Sequence, residues 1–329
     1  MLLIAGLLGM AAVGSVVMIG TIGDDDDDPG GRTTAPELTE DDLGPPGMIE
    51  PAEEPDTQTG GAGADTLAGG EGVSLISGGG GSDAIDGRGG DDLLSGGAGA
   101  DWIWGGAGDD LLHGGSENDT LHGEAGADTL SGDDGNDALY GHGGHDLSRG
   151  GAGDDVLTDG QGNDTLIGGA GDDGLLGGHD ADTLIGGQGS DSLFGGAGDD
   201  LLDGTEAGDA AVDYLNGNAG DDRILADDGD VVTGGAGADD IVLRGDPGQQ
   251  ITLIDFEPGE DQILLISDDP AGGVDVTIAP DADDPTVLRM SVDGQEVALL
   301  RGAEDMTMAD ILLVSEAEAA AWEVLPPAA

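Results

Sequence analysis

The chain has 329 residues and a formal charge of −64 at pH 7, with 71 acidic residues against seven basic ones, all of them arginine. Such a charge repels nucleic acid and anionic membrane surfaces, which excludes nucleic-acid binding and leaves cations as the natural partners. The absence of cysteine excludes disulfide staples and thiolate metal sites. With 69 glycines and 2% aromatic residues, the composition suits either disorder or a periodic fold that needs glycine at fixed places.

Met1 to Ile22 carries no charged side chain and is followed by five consecutive acids, Asp24 to Asp28. About 20 apolar residues can span a bilayer as a helix. No basic residue precedes Arg32 and no A-x-A cleavage site is evident, so residues 1–23 read as a single membrane anchor in preference to an unusual signal peptide. Residues 24–59 are acidic and proline-containing and read as a disordered linker.

From Gly60 the chain has a period of nine, and sixteen uninterrupted nonads run to Asp203. GGAGADWIW at 96–104 and GGAGDDLLH at 105–113 are examples of the template G-G-x-G-x-D-x-U-x, with U a large aliphatic residue. The sixth position is Asp65, Asp83, Asp92, Asp101, Asp110, Asp119, Asp128, Asp137, Asp146, Asp155, Asp164, Asp173, Asp182, Asp191 and Asp200, with Ser74 the one exception. The eighth is Leu or Ile from Leu67 to Leu202, with Ser148 the one exception. Gly204 to Asn216 is an interrupted copy with four extra residues, and Ala226 to Thr233 is one residue short. Two regular copies, Gly217 to Leu225 and Gly234 to Val242, add Asp222 and Asp239 at position six.

This run resembles the RTX, or hemolysin-type, calcium-binding repeat over roughly half of the chain, and the many tandem matches make the resemblance specific. It implies an all-β fold: a parallel β-roll over residues 60–242, with calcium held by the seventeen position-six aspartates named above. The same residues support this physically. Glycine at positions one, two and four permits positive φ and close backbone approach. The first six residues of each nonad are expected to form a turn and the last three a short strand whose middle side chain points inward. Two nonads make one coil, so like-sided turns stack at strand spacing and the aspartates form a column on each edge. Such a column repels itself until Ca²⁺ sits between successive turns. Carboxylates and turn carbonyls are hard oxygen ligands, of which calcium takes six to eight. Position-five residues such as Asp109, Asn118, Asn136 and Asp154 are candidate helpers, and Ser74 should weaken one site.

Residues 243–329 read as a β-rich cap that covers the end of the roll. Ile251 to Phe256 and Gln262 to Ile266 read as strands around Glu257-Pro-Gly-Glu-Asp261, a segment similar to the one that follows the repeats in exported RTX proteins, where such regions carry a type I secretion signal. Asp293-Gly294 between Val287–Val292 and Gln295–Leu300 signals a hairpin, and Thr307 is placed to cap a short helix through Leu313.

No H-E-x-x-H, G-x-S-x-G or P-loop motif is present, and all five histidines lie inside repeats. The expected function is therefore calcium binding by a secreted or cell-surface structural or interaction protein without an enzymatic activity. An exported RTX-type enzyme, a protease or one acting on polysaccharide, is the alternative, as is an adhesin or toxin component. Trp102 and Trp104 flank Ile103 and should both point outward, where they could stack on a glycan or a cell-surface partner; packing against a neighbour is the plainer expectation.

Overall fold

The computed structural model describes residues 55–205, 211–227, 229–244, 250–266, 274–303 and 305–315. The hydrophobic segment expected at 1–23, with its helix, and most of the acidic linker lie outside the described residues. Among the described residues no helix is long and apolar enough to cross a membrane.

The described chain is a two-sheet parallel β-roll. Through Gln262–Ile266 successive strands alternate between a 13-stranded and a 14-stranded sheet, so each pairs with the one two places on; Val276–Pro280, Val287–Val292 and Gln295–Arg301 then form an antiparallel meander at the end of the 14-stranded sheet. In the regular part Leu94 pairs with Leu112, Leu112 with Leu130, and Leu121 with Leu139. This 18-residue register is two nonads per coil, as the period predicts.

The division of each nonad differs from expectation. Strands are six residues long, as in Leu93–Ala98, Trp102–Ala107 and Leu111–Ser116. They run from position seven through position three of the next copy, leaving only positions four to six for the turn. Glycine pairs are poor strand formers in isolation. Here they are held by the stacked coils, which bond even through the turns: Gly99 N–H donates to Ser116 C=O at 3.0 Å and Trp102 N–H to Asp83 C=O at 2.9 Å. Positions eight and one both face inward, giving a core of one aliphatic side chain against one glycine per copy. Ile85, Leu94, Ile103, Leu112, Leu121 and Leu130 are fully buried and form two files along the rod.

The irregular copies are absorbed without breaking the stack. Ser192 pairs with Tyr214, four residues beyond the usual offset, and Tyr214 with Val231, one residue short of it. Both sheets also run past Val242, where the repeat motif ends. Val242 pairs with Leu264 and Leu264 with Leu312 on one side; Val232 pairs with Leu253 and Leu253 with Leu300 on the other.

At the other end Asp56–Thr59, assigned to the linker by sequence, is an edge strand parallel to Ser74–Ser77.

The hairpin at Asp293-Gly294 is present, both turn residues having positive φ (52° and 80°). The helix expected after Thr307 is a single 3₁₀ turn, Met308–Asp310, closed by a capping box between Thr307 and Asp310. Ile311–Val314 is instead a strand added in parallel to Gln262–Ile266. Four consecutive aliphatic residues gain more by extending a sheet than by continuing a helix with no face to bury.

Candidate metal centre

Each position-six aspartate ends a turn with its side chain folded back under the coil. From the third regular copy on, its Oδ1 accepts the backbone N–H of the position-six residue one coil earlier, 18 residues back in the regular copies. On one edge the ladder runs Asp65, Asp83, Asp101, Asp119, Asp137, Asp155, Asp173 and Asp191 at 2.7–2.8 Å. On the other it runs from Ser74 through Asp92, Asp110, Asp128, Asp146, Asp164, Asp182 and Asp200 at 2.6–2.9 Å. Thus the structure brings the sequence-predicted residues together as two columns. Asp222 and Asp239 lie on the second, linked at 3.0 Å.

Three further members escape the nonad template. Asp213 accepts from Asp191, and Asp230 from Asp213, in the two irregular copies. Asp261 accepts from Asp239 in the C-terminal region. The signal available for them was the shorter pattern Asp-x-aliphatic, which survives as Asp213-Tyr-Leu215, Asp230-Val-Val232 and Asp261-Gln-Ile263.

The second carboxylate oxygen sets the chemistry. Oδ2 of Asp83, Asp92, Asp101, Asp110, Asp119, Asp128 and Asp137 is buried with no hydrogen-bond donor, as it is in Asp146, Asp155, Asp164, Asp173, Asp182, Asp191, Asp200, Asp222 and Asp239. A Cβ added to Gly96 would lie 2.2 Å from Oδ2 of Asp101, so glycine at position one leaves room for that oxygen; among the regular copies Asp159 alone places a side chain there. Positions two and four show the same closeness to the carbonyls of the coil before: a Cβ on Gly97 would lie 2.3 Å from Gly79 O, and one on Gly99 2.5 Å from Gly81 O. Each turn therefore gathers a buried, donor-less carboxylate oxygen beside glycine carbonyls, which is the donor set of a hard cation such as calcium.

Electrostatics point the same way. Burial pushes the carboxyls of Asp110, Asp119, Asp173, Asp182 and Asp222 up to about 7, with the N–H of the preceding coil opposing and the neighbouring aspartates adding to the rise. Asp128, Asp146, Asp155 and Asp239 reach about 6 for the same leading reason. Carboxyls ordinarily ionise near 3.9; these need either a proton or a cation.

Asp230 and Asp261 take a donor at Oδ2, from Asp227 N–H at 2.8 Å and Glu257 N–H at 2.7 Å, and two further exceptions mark the columns. At Ser74 a hydroxyl stands in the glycine cradle where a carboxylate stands elsewhere. Asp65, in the first coil, is only half-buried and accepts Gly61 N–H at 2.6 Å with Oδ2. The position-five residues are exposed and pin the turns in the opposite direction: Ala127 N–H donates to Asp109 Oδ1 at 2.8 Å, and Asp172 N–H to Asp154 Oδ1 at 3.1 Å.

The family model described as the RTX calcium-binding nonapeptide repeat (4 copies) matches residues 59–94, 86–121, 113–147, 149–184, 176–209, 207–241 and 230–246. A comparison with curated proteins returns no match. The matched segments span more than half of the chain, and the two edge ladders repeat in step with them: the chain belongs to the RTX calcium-binding repeat family.

Proposed function

We propose that the two aspartate ladders hold calcium between successive turns and that the metal folds the roll, making the chain a calcium-responsive structural or interaction protein that works outside the cell. The ligands are Asp65, Asp83, Asp92, Asp101, Asp110, Asp119, Asp128, Asp137, Asp146, Asp155, Asp164, Asp173, Asp182, Asp191, Asp200, Asp222 and Asp239, with turn carbonyls completing each sphere. The observation that carries this reading is the run of buried Oδ2 atoms without donors. A buried ionised oxygen is tolerated only when it is paired or bound to a metal. One inward aliphatic residue per nine is a thin core, so ligand formation and folding become one event. Extracellular modules bind calcium in the 10⁻⁴–10⁻³ M range, which leaves such sites empty at cytosolic calcium and filled outside.

The test is a calcium titration followed by far-UV circular dichroism, with magnesium as control. A cooperative coil-to-β transition at roughly 0.1–1 mM calcium, reversed by chelator and not produced by magnesium, is the expected result. A β signal that survives chelation at neutral pH would overturn the metal-folding reading.

A further inference from the structure

On the outer face of the 14-stranded sheet, away from both edge ladders, neighbouring coils bring together His122, Glu124 and His142. His122 and Glu124 are two apart on the strand Thr120–Ala125 and so project from the same face. His142 lies directly across from Glu124 on the next strand, and Tyr140 directly across from His122. One ligand atom from each of His122, Glu124 and His142 lies within 4.8 Å of the others. Nδ1 of His122 and Nε2 of His142 face each other at 2.9 Å.

We propose that this cluster is a second, separate metal site that takes a divalent transition cation of the zinc class. Two imidazole nitrogens and a carboxylate are the usual ligand types for zinc, whereas calcium takes oxygen. Nitrogens each 2.0–2.1 Å from one ion lie about 3.3 Å apart in tetrahedral geometry, so the observed pair need open by only a few tenths of an ångström. Three protein ligands leave the fourth position for water or a partner's group. The His122 ring is already fixed in orientation, stacked between Tyr140 (centroids 4.7 Å, planes 10°) and Trp104 (6.0 Å, 4°). Glu124 and His142 also occupy position two, where the template has glycine, and adopt φ of 78° and 74°. Side chains in that left-handed region are disfavoured.

The site uses none of the edge aspartates, so it remains open when they are saturated. The test is zinc binding to the full chain by equilibrium dialysis or calorimetry in roughly 10 mM calcium, well above the range of extracellular calcium modules. His142→Gly and Glu124→Gly restore the template glycine at a positive-φ position, so neither should impair folding; His122→Gln removes the third ligand, and His179→Ala serves as control. The expected result is one zinc per chain, at least about tenfold weaker in each of the three ligand variants and unchanged in the control, with the β signal of the variants intact. No stoichiometric zinc uptake in calcium, or uptake that His142→Gly and His122→Gln leave unchanged, would overturn the proposal.

Discussion

The backbone N–H of Asp110 donates to Oδ1 of Asp128 at 2.8 Å, while Oδ2 of Asp128 is buried with no donor. One carboxylate thus divides its two oxygens between two tasks. The first locks one coil to the next through the protein alone, and the second is left for something the protein does not supply.

Replacing Asp128 by Asn separates these tasks. The amide oxygen can still accept from Asp110, but the charge is gone and an NH₂ group enters the cradle. Asp128→Asn should raise the calcium needed for half-folding. In saturating calcium it should lower stability by about 1–3 kcal/mol, the range for a buried polar group deprived of its partner. Thermal unfolding at fixed calcium measures both. Ser74→Asp should act in the opposite direction, because it completes the one regular copy whose cradle holds a hydroxyl.

In chelator the roll should respond to acid. Burial raises the folded-state pKa of Asp110, Asp119, Asp173, Asp182 and Asp222 to about 7, and of Asp128, Asp146, Asp155 and Asp239 to about 6. The folded chain then binds more protons than the unfolded one between pH 3.9 and about 7. The stabilisation is complete below the unfolded value and is lost as pH rises through 6 to 7. Circular dichroism of the calcium-free chain should show β structure growing as the pH is lowered from about 8 towards 4. With calcium present, the same protons compete with the metal and its midpoint should rise on acidification. A calcium-free spectrum that does not change over this range would contradict the account.

Ser148 and Asp159 form a polar pair inside the core. Ser148 stands at position eight, where other copies have Leu or Ile, and its hydroxyl donates to Asp159 Oδ1 at 2.7 Å. Asp159 itself replaces a position-one glycine, and burial drives its carboxyl well above the ordinary range. Ser148→Ala should lower stability by about 1–3 kcal/mol by removing that donor. The double change Ser148→Leu with Asp159→Gly restores the template and should raise stability by about 2–5 kcal/mol, the range for a core leucine. The two single changes should not sum to the double, because the residues touch. Chemical denaturation in saturating calcium measures each.

Positive φ gives a further pair of opposed changes. Asp180 holds a φ of 72° at position four, so Asp180→Gly should stabilise by about 1–2 kcal/mol. At Gly115, with φ of 121°, a Cβ would lie 2.1 Å from Gly97 O. Gly115→Ala must push one coil off another and should lower the melting temperature in calcium.

Much of this was legible because a single period governs both the core and the edges. The position of Leu112 in its nonad fixes its inward direction, and that of Asp110 places it on an edge. The offset of two nonads between paired strands follows from the same count. Strand length was not legible, because Gly96-Gly97 has no intrinsic preference for a strand and is extended by the coils stacked on either side of it. Asp213, Asp230 and Asp261 were missed because their copies are four residues too long, one residue short, or without the glycine template, while the ladder depends only on the stacked position. His122 and His142 meet because the 18-residue offset sets His142 opposite Glu124 and Tyr140 opposite His122, a pairing that emerges only when the variable positions of one coil are compared with those of the next, not from the template of a single copy. The run Ile311-Leu-Leu-Val314 carried a helix signal in Thr307, but the open edge of Gln262–Ile266 decided its structure.

Calcium anomalous scattering from crystals grown in calcium tests the central claim most directly. The account predicts two files of anomalous peaks, one along each edge of the roll, each peak between successive turns and beside Oδ2 of a position-six aspartate such as Asp110 or Asp119. Peaks confined to the exposed position-five carboxylates, or edges without peaks in a folded roll, would contradict it.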